Sequence, residues 1–186
     1  RDEETAWDTK GTAFTFALRG GLDAQGNLIA FDYNAQAADY NHLGYNEVET
    51  VLISQLMGTR LETPNSGRAA TPSAMYTIPH RREATQVVSL PMVWETPLRT
   101  GNLRDPNGPQ VTFASESFID ELAAAGNVDP VTFRLGLLTD STDDDSGFKR
   151  ARSIAVIRAA AEAYRWNTRP SPKARGAGIV GSGRGI

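Results

Sequence analysis

Residues 12–19 (TAFTFALR) alternate between apolar and polar positions, and Phe14, Phe16 and Leu18 share one face. This pattern predicts a half-buried strand. Asp23-Ala24-Gln25-Gly26-Asn27 carries turn chemistry, and residues 28–38 alternate again, with Ile29, Phe31, Tyr33 and Ala35 on one side. Together the two runs predict a β-hairpin. Residues 39–60 are ambiguous, although 47–57 hold a helical stripe of Val48, Val51, Leu52 and Leu56. Residues 61–73 read as loop, and 76–78 and 85–90 as short strands. From 91 to 109 there is little periodicity and there are four prolines and two glycines. A loop of that length inside a domain is uncommon and is often functional.

Helical periodicity begins at Phe113. Phe118, Ile119, Leu122 and Ala123 form a stripe, and Gly126 is expected to close it. Asp129-Pro130 is a strong helix start. The aspartate can accept from first-turn N–H groups, and proline fits the first helical position because an N–H there has no partner. Val131, Arg134, Leu135 and Leu138 continue this helix. A third covers about 148–165, with Ile154, Ile157, Ala161 and Tyr164 in helical spacing. The predicted class is α+β: a hairpin and short strands, a long loop, then three helices. Residues 1–168 are expected to form part of one domain, and the Gly/Pro-rich 169–186 a linker into a further section.

The chain has 186 residues, 40% of them hydrophobic, enough to build a core. Its net charge of −3 argues against a nucleic-acid partner, which would need a basic face. No apolar run approaches the roughly 18 residues of a membrane span. The absence of cysteine excludes disulfides, thiolate zinc sites and iron–sulfur clusters within this chain, and leaves the redox compartment unreadable. With only His42 and His80, a three-histidine metal site is ruled out, and both read as surface residues. The chain opens on Arg1-Asp2-Glu3-Glu4 and stops at Gly183-Arg184-Gly185-Ile186. Both ends read as cut, so a section of a longer polypeptide is expected.

Several motifs fit bland readings. Gly176-x-Gly178-x-x-Gly181 matches a dinucleotide fingerprint, but Arg169-Pro170-Ser171-Pro172 precedes it where a strand is needed, so a linker is expected. Residues 140–145 (DSTDDD) lack the ligand spacing of a calcium loop and read as an acidic turn capping the third helix. Glu116 and Asp120 stand four apart on one helix face, with Glu121 beside them. They are candidates for acid–base work, but a solvated face is the default. Trp7, Trp94 and Trp166 read as packing residues. In residues 96–138 a Pro/Gly-stiffened loop runs into a helix start, with Arg99 and Arg104 adding positive charge. Such a loop suits a phosphate or an anionic metal-oxo centre, and equally a surface crossover.

Phe113-Ala114-x-Glu116-Ser117-Phe118-Ile119-Asp120-Glu121-Leu122-Ala123, followed by Asp129-Pro130-x-x-Phe133-Arg134, resembles the signature of molybdopterin-binding large subunits of the xanthine dehydrogenase/aldehyde oxidase family. The isoquinoline 1-oxidoreductase large subunits are the most similar subgroup, through a PLRTGNLR-like loop at 97–104. Arg104 and Gly108-Pro109-Gln110 fall in register with the AFRGFGGPQ-like loop of xanthine dehydrogenases. The turn from Gly20-Gly21-Leu22-Asp23 to Ala30, Tyr76-x-Ile78-Pro79 and Trp166 also resemble family segments, so the likeness runs along nearly the whole chain, weakly at 39–72 and 139–150.

The resemblance implies that Arg104 sits beside molybdenum, its backbone contacting the metal's ligands. Arg104, Asp105 and Pro106 are then cofactor-binding candidates, with Arg99 and Asn102 as further ones. Pro106 stands where the family has an aromatic residue and cannot stack on a flat substrate, which argues against xanthine-like molecules. The implied reaction hydroxylates a carbon beside nitrogen, or an aldehyde carbon, with water as the oxygen source. The family's glutamate base lies beyond this chain, so no catalytic residue and no direct metal ligand are expected here. The cofactor would be a molybdenum–pterin, in the cytosine dinucleotide form, held by the full-length protein and not by this section alone. Expected partners are the rest of the large subunit, a [2Fe–2S] subunit or domain, and a small-molecule substrate. Glu116, Asp120 and Glu121 would be structural, holding the helix behind the loop. The rival reading is a stand-alone, non-enzymatic α+β module whose loop meets a protein partner.

Overall fold

The computed structural model describes residues 11–38, 71–72, 75–88, 105, 107–139 and 149–168. Three strands, β1 (Phe14–Leu22), β2 (Leu28–Ala38) and β3 (His80–Val88), form one sheet in the order β1-β2-β3. Three helices follow: α1 (Gly108–Ala125), α2 (Pro130–Thr139) and α3 (Arg150–Ala163), with a 3-10 turn at Trp166–Thr168. The architecture is the α+β arrangement expected from the sequence. No helix among the described residues is long and apolar enough to cross a membrane.

The hairpin turn forms as its residues dictate. Asp23 Oδ1 accepts the N–H groups of Gln25 (2.9 Å) and Asn27 (2.8 Å), and Gly26 supplies the left-handed φ of +85° that a side chain resists. Next to the turn Asp23 pairs with Asn27, whereas at the far end Ala38 pairs with Ala13. Strand β2 therefore spends one residue more than β1 between these pairs, which is a β-bulge. The extra residue lets Leu28 and Phe31 both reach the buried face and leaves Ile29 39% exposed, against the face expected for it. Strands β2 and β3 run parallel. Arg82 meets Asp32 and Gln86 meets Gln36, so the partners advance together along the two strands. Forty-odd intervening residues are ample for the crossover such pairing requires. Residues 76–78, expected as a strand, instead form a turn and an extended lead-in, and Thr77 N–H donates to Leu137 O at 2.9 Å.

The chain divides into two compact units. In the first (1–17, 34–71, 84–111), the described part holds the start of β1, the ends of β2 and β3, and the first turn of α1, with Phe14 and Phe16 stacked at 5.6 Å. In the second (18–33, 72–83, 112–186), Leu28, Phe31 and Tyr33 share a core with Ile119, Leu122, Phe133, Leu138, Ile157 and Trp166.

Helix α1 begins at Gly108, five residues before the apolar periodicity that predicts it. Its end is a Schellman motif: Val128 N–H donates to Ala123 O and Asn127 N–H to Ala124 O. The left-handed residue is Asn127 (φ 52°), not Gly126, which instead lets the hairpin turn close on the helix end. Helix α2 starts as Asp129-Pro130 predicts, with Asp129 Oδ1 accepting from Val131 (3.0 Å) and Thr132 (2.9 Å). Asp129 Oδ2 also accepts from Trp166 Nε1, which pins the chain after α3 to this cap. The Asp129→Ala variant loses both the helix cap and the hydrogen bond to the Trp166 indole, so a loss of about 2 kcal/mol is expected in urea unfolding. Asp129→Asn, which keeps one acceptor, should lose clearly less, and equal losses would refute the dual role.

Candidate functional site

Of the residues expected to face a cofactor, Arg99, Asn102, Arg104 and Pro106 lie outside the described residues, as do His42, Trp7, Trp94 and the motifs at 140–145 and 176–181. Asp105 is described. It takes a left-handed φ of 54°, and its backbone oxygen accepts from Gly108 N–H at 3.2 Å. A Cβ at position 108 would fall on the Asp105 carboxylate, so glycine is what allows the carboxylate to lie against the start of α1. Negative charge is favoured at a helix N-terminus. Here the protein's own carboxylate takes the position at which the sequence suggests an external anion.

The first turn of α1 is also rich in acceptors. Asn107 Oδ1, Gln110 Oε1 and Thr12 Oγ1 are buried and have no hydrogen-bond partner among the described residues. Gln110 Nε2 donates to Thr12 O at 3.2 Å, which brings two of the three together. Each unsatisfied group costs about 1–3 kcal/mol, and native structures rarely leave them so. In the sequence only Gln110 is marked, through the register of Gly108-Pro109-Gln110, whereas Thr12 and Asn107 signal nothing before burial is known.

A second cluster lies on α1 and α2. Arg134 is fully buried, and every guanidinium nitrogen is used. Nε donates to Glu116 Oε2 (2.9 Å), Nη1 to Asp120 Oδ1 (2.6 Å) and Nη2 to Glu116 O (3.0 Å). Tyr76 OH donates to the same Glu116 oxygen at 3.0 Å. Glu116 is 3% exposed, so the solvated face expected for it does not exist; Glu121 alone of the three acidic residues is exposed. The expected structural role of Glu116 and Asp120 matches this geometry. Burial pushes the Glu116 carboxyl above its ordinary range, although Arg134 and Tyr76 draw it back. Burial also pushes the Tyr76 hydroxyl far up, while Asp120 and Glu116 hold Arg134 charged against the cost of its burial. Glu116 Oε2 is taken by both donors and the residue is 3% exposed, so the cluster acts as a structural clamp.

The clamp has a pH signature. The folded chain holds the Glu116 proton more tightly than the unfolded chain does. The stability that follows is complete below the ordinary value near 4.5 and is lost as pH rises through the higher folded value. Wild type should therefore exceed Glu116→Gln most in Tm at acid pH, and the gap should narrow toward neutrality. Melting curves that stay parallel across this range would contradict the assignment.

Among the described residues no group of three or more His, Asp or Glu side chains is placed to hold a metal ion. His80 is exposed at the start of β3.

No family model matches the chain. Along its entire length it is 33% identical to one of the subunits of the nicotinate dehydrogenase of Pseudomonas putida, and it spans 14% of that relative. The aldehyde oxidoreductase of Desulfovibrio gigas shares the fold with a TM-score of 0.53 at 20% identity, over 88% of this chain and 17% of that one. The aldehyde oxidoreductase of Desulfovibrio desulfuricans does so with a TM-score of 0.52 at 20% identity, over 86% and 16%. In sequence over its whole length, and in fold over most of it, the chain is similar to one section of the molybdenum hydroxylase family to which these nicotinate dehydrogenase and aldehyde oxidoreductase chains belong.

Proposed function

We propose that the chain is a section of the catalytic large subunit of a molybdenum hydroxylase, of the isoquinoline 1-oxidoreductase type, that oxidises an N-heteroaromatic or aldehyde substrate with water as the oxygen source. The observation that carries the reading is the 33% identity along the whole chain to a nicotinate dehydrogenase chain. Nicotinate, in that relative's name, is itself an N-heteroaromatic acid. Residues 1–168 then form part of the cofactor-binding domain, and 169–186 lead into the section carrying the catalytic glutamate.

On this reading Arg104, Asp105 and Pro106, with Arg99 and Asn102, are the residues facing the cofactor, a molybdenum–pterin in its cytosine dinucleotide form. When bound, that group supplies the two-electron oxidation, and the electrons pass to a [2Fe–2S] partner. The chain's own contribution is positional. Asp105 is held by Gly108 at the head of α1, and α1 is fixed by Arg134 through Glu116 and Asp120. Pro106 lacks the flat face that would stack on a purine, so xanthine should be a poor substrate beside a monocyclic or bicyclic N-heteroaromatic.

Metal analysis of the full-length polypeptide tests the proposal. Stoichiometric molybdenum is expected, together with transfer of labelled oxygen from water into the hydroxylated product. A folded, full-length protein purified without molybdenum or pterin under conditions that load other molybdenum hydroxylases would end it.

A further inference from the structure

Thr12, Asn107 and Gln110 belong to one compact unit. Asn107 is the N-cap residue of α1, since its backbone oxygen accepts from Val111 N–H at 3.1 Å. An N-cap asparagine ordinarily turns its side-chain oxygen onto the first-turn N–H groups. Asn107 does not: its Oδ1 is buried and unpartnered among the described residues, as is Oε1 of Gln110 one turn further on. Thr12, 4% exposed, adds a third such oxygen, and its backbone oxygen already holds the Gln110 amide. Three buried, unpartnered oxygens at one place call for hydrogen-bond donors.

We infer that Thr12, Asn107 and Gln110 form an acceptor subsite for N–H donors of the pterin held by the full-length protein. This rests on the function proposed above. A pterin carries amide and amine N–H groups that side-chain amide oxygens can accept, and a hydroxyl can join either way. A buried water molecule offers the same donor chemistry, and so does another part of the polypeptide, so the test must separate three sources.

The test uses the full-length polypeptide and the near-isosteric Asn107→Leu, since Gln110 also holds Thr12 O through its Nε2 and is left in place. Two quantities are read: the rate at which molybdenum and pterin leave the purified protein on dilution, and the Tm of the cofactor-free protein. Asn107→Leu should release the cofactor about tenfold faster, while its cofactor-free Tm equals or exceeds that of wild type, because an apolar group replaces an unsatisfied one. An unchanged release rate assigns the donors to water and overturns the inference. A lower cofactor-free Tm, with or without faster release, assigns them to the polypeptide and overturns it as well. A wild-type protein that holds no pterin removes the proposed function itself, and this subsite with it; a loaded wild type beside an unaltered variant removes the subsite alone.

Discussion

The Arg134→Met variant is expected to lose about 4 kcal/mol of stability in urea unfolding. The size follows from what remains behind. Arg134 is fully buried and Glu116 is 3% exposed, so removing the guanidinium strands a carboxylate away from water. Tyr76 alone then faces Glu116, and Asp120, whose side chain is 30% exposed, can turn to solvent. The same physics predicts recovery. Replacing both partners, as Glu116→Leu with Arg134→Met, removes the stranded charge and should restore most of the loss, because an apolar pair of similar volume often matches a buried ion pair. Tyr76→Phe in that background should then cost little, since its hydroxyl has lost its acceptor. A single variant that loses less than about 1 kcal/mol, the level of an exposed ion pair, would mean that water reaches the cluster.

This clamp also marks the limit of what the sequence discloses. Local chemistry is readable. The Asp23–Asn27 turn, the Asp129-Pro130 helix start and the Phe118, Ile119, Leu122 stripe each depend on residues within a few positions of one another, and each forms as expected. Features set by distant partners are not. Glu116 looks solvated until Arg134, eighteen positions away, turns toward it. A signal is present nonetheless: an arginine within the apolar run Val131, Leu135 and Leu138 needs buried anions, and Glu116 and Asp120 present two on one helix face. Ile29 looks inward until a bulge in β2 turns it out. Strand β3 opens on His80-Arg81-Arg82-Glu83, which has no strand signature. Its charges are accommodated in pairs, since Arg82 reaches Asp32 at 3.4 Å and Arg81 pairs with Glu83. The candidate site divides in the same way. Arg104 stands out by motif register, whereas the buried oxygens of Thr12, Asn107 and Gln110 become visible only once the first turn of α1 is placed.

On the function proposed above, Arg104→Ala in the full-length polypeptide is expected to lower kcat far more than Arg99→Ala, because Arg104 alone falls in register with the metal-side residue of the resembled loop. Alanine removes only the side chain. If the backbone N–H carries the contact, Arg104→Ala will look mild and Arg104→Pro will not, since proline deletes the donor. Loss of a single N–H aimed at developing charge costs on the order of a hundredfold in kcat, and that is the effect expected of Arg104→Pro. Proline also restricts Leu103, so Arg99→Pro serves as the control for a merely bent loop. Molybdenum content separates the cases. A kcat that falls while metal content holds places the group beside the reacting centre, whereas kcat and metal falling together place it in cofactor retention. Equal, mild losses at positions 99 and 104, for both alanine and proline, would detach this loop from the metal altogether.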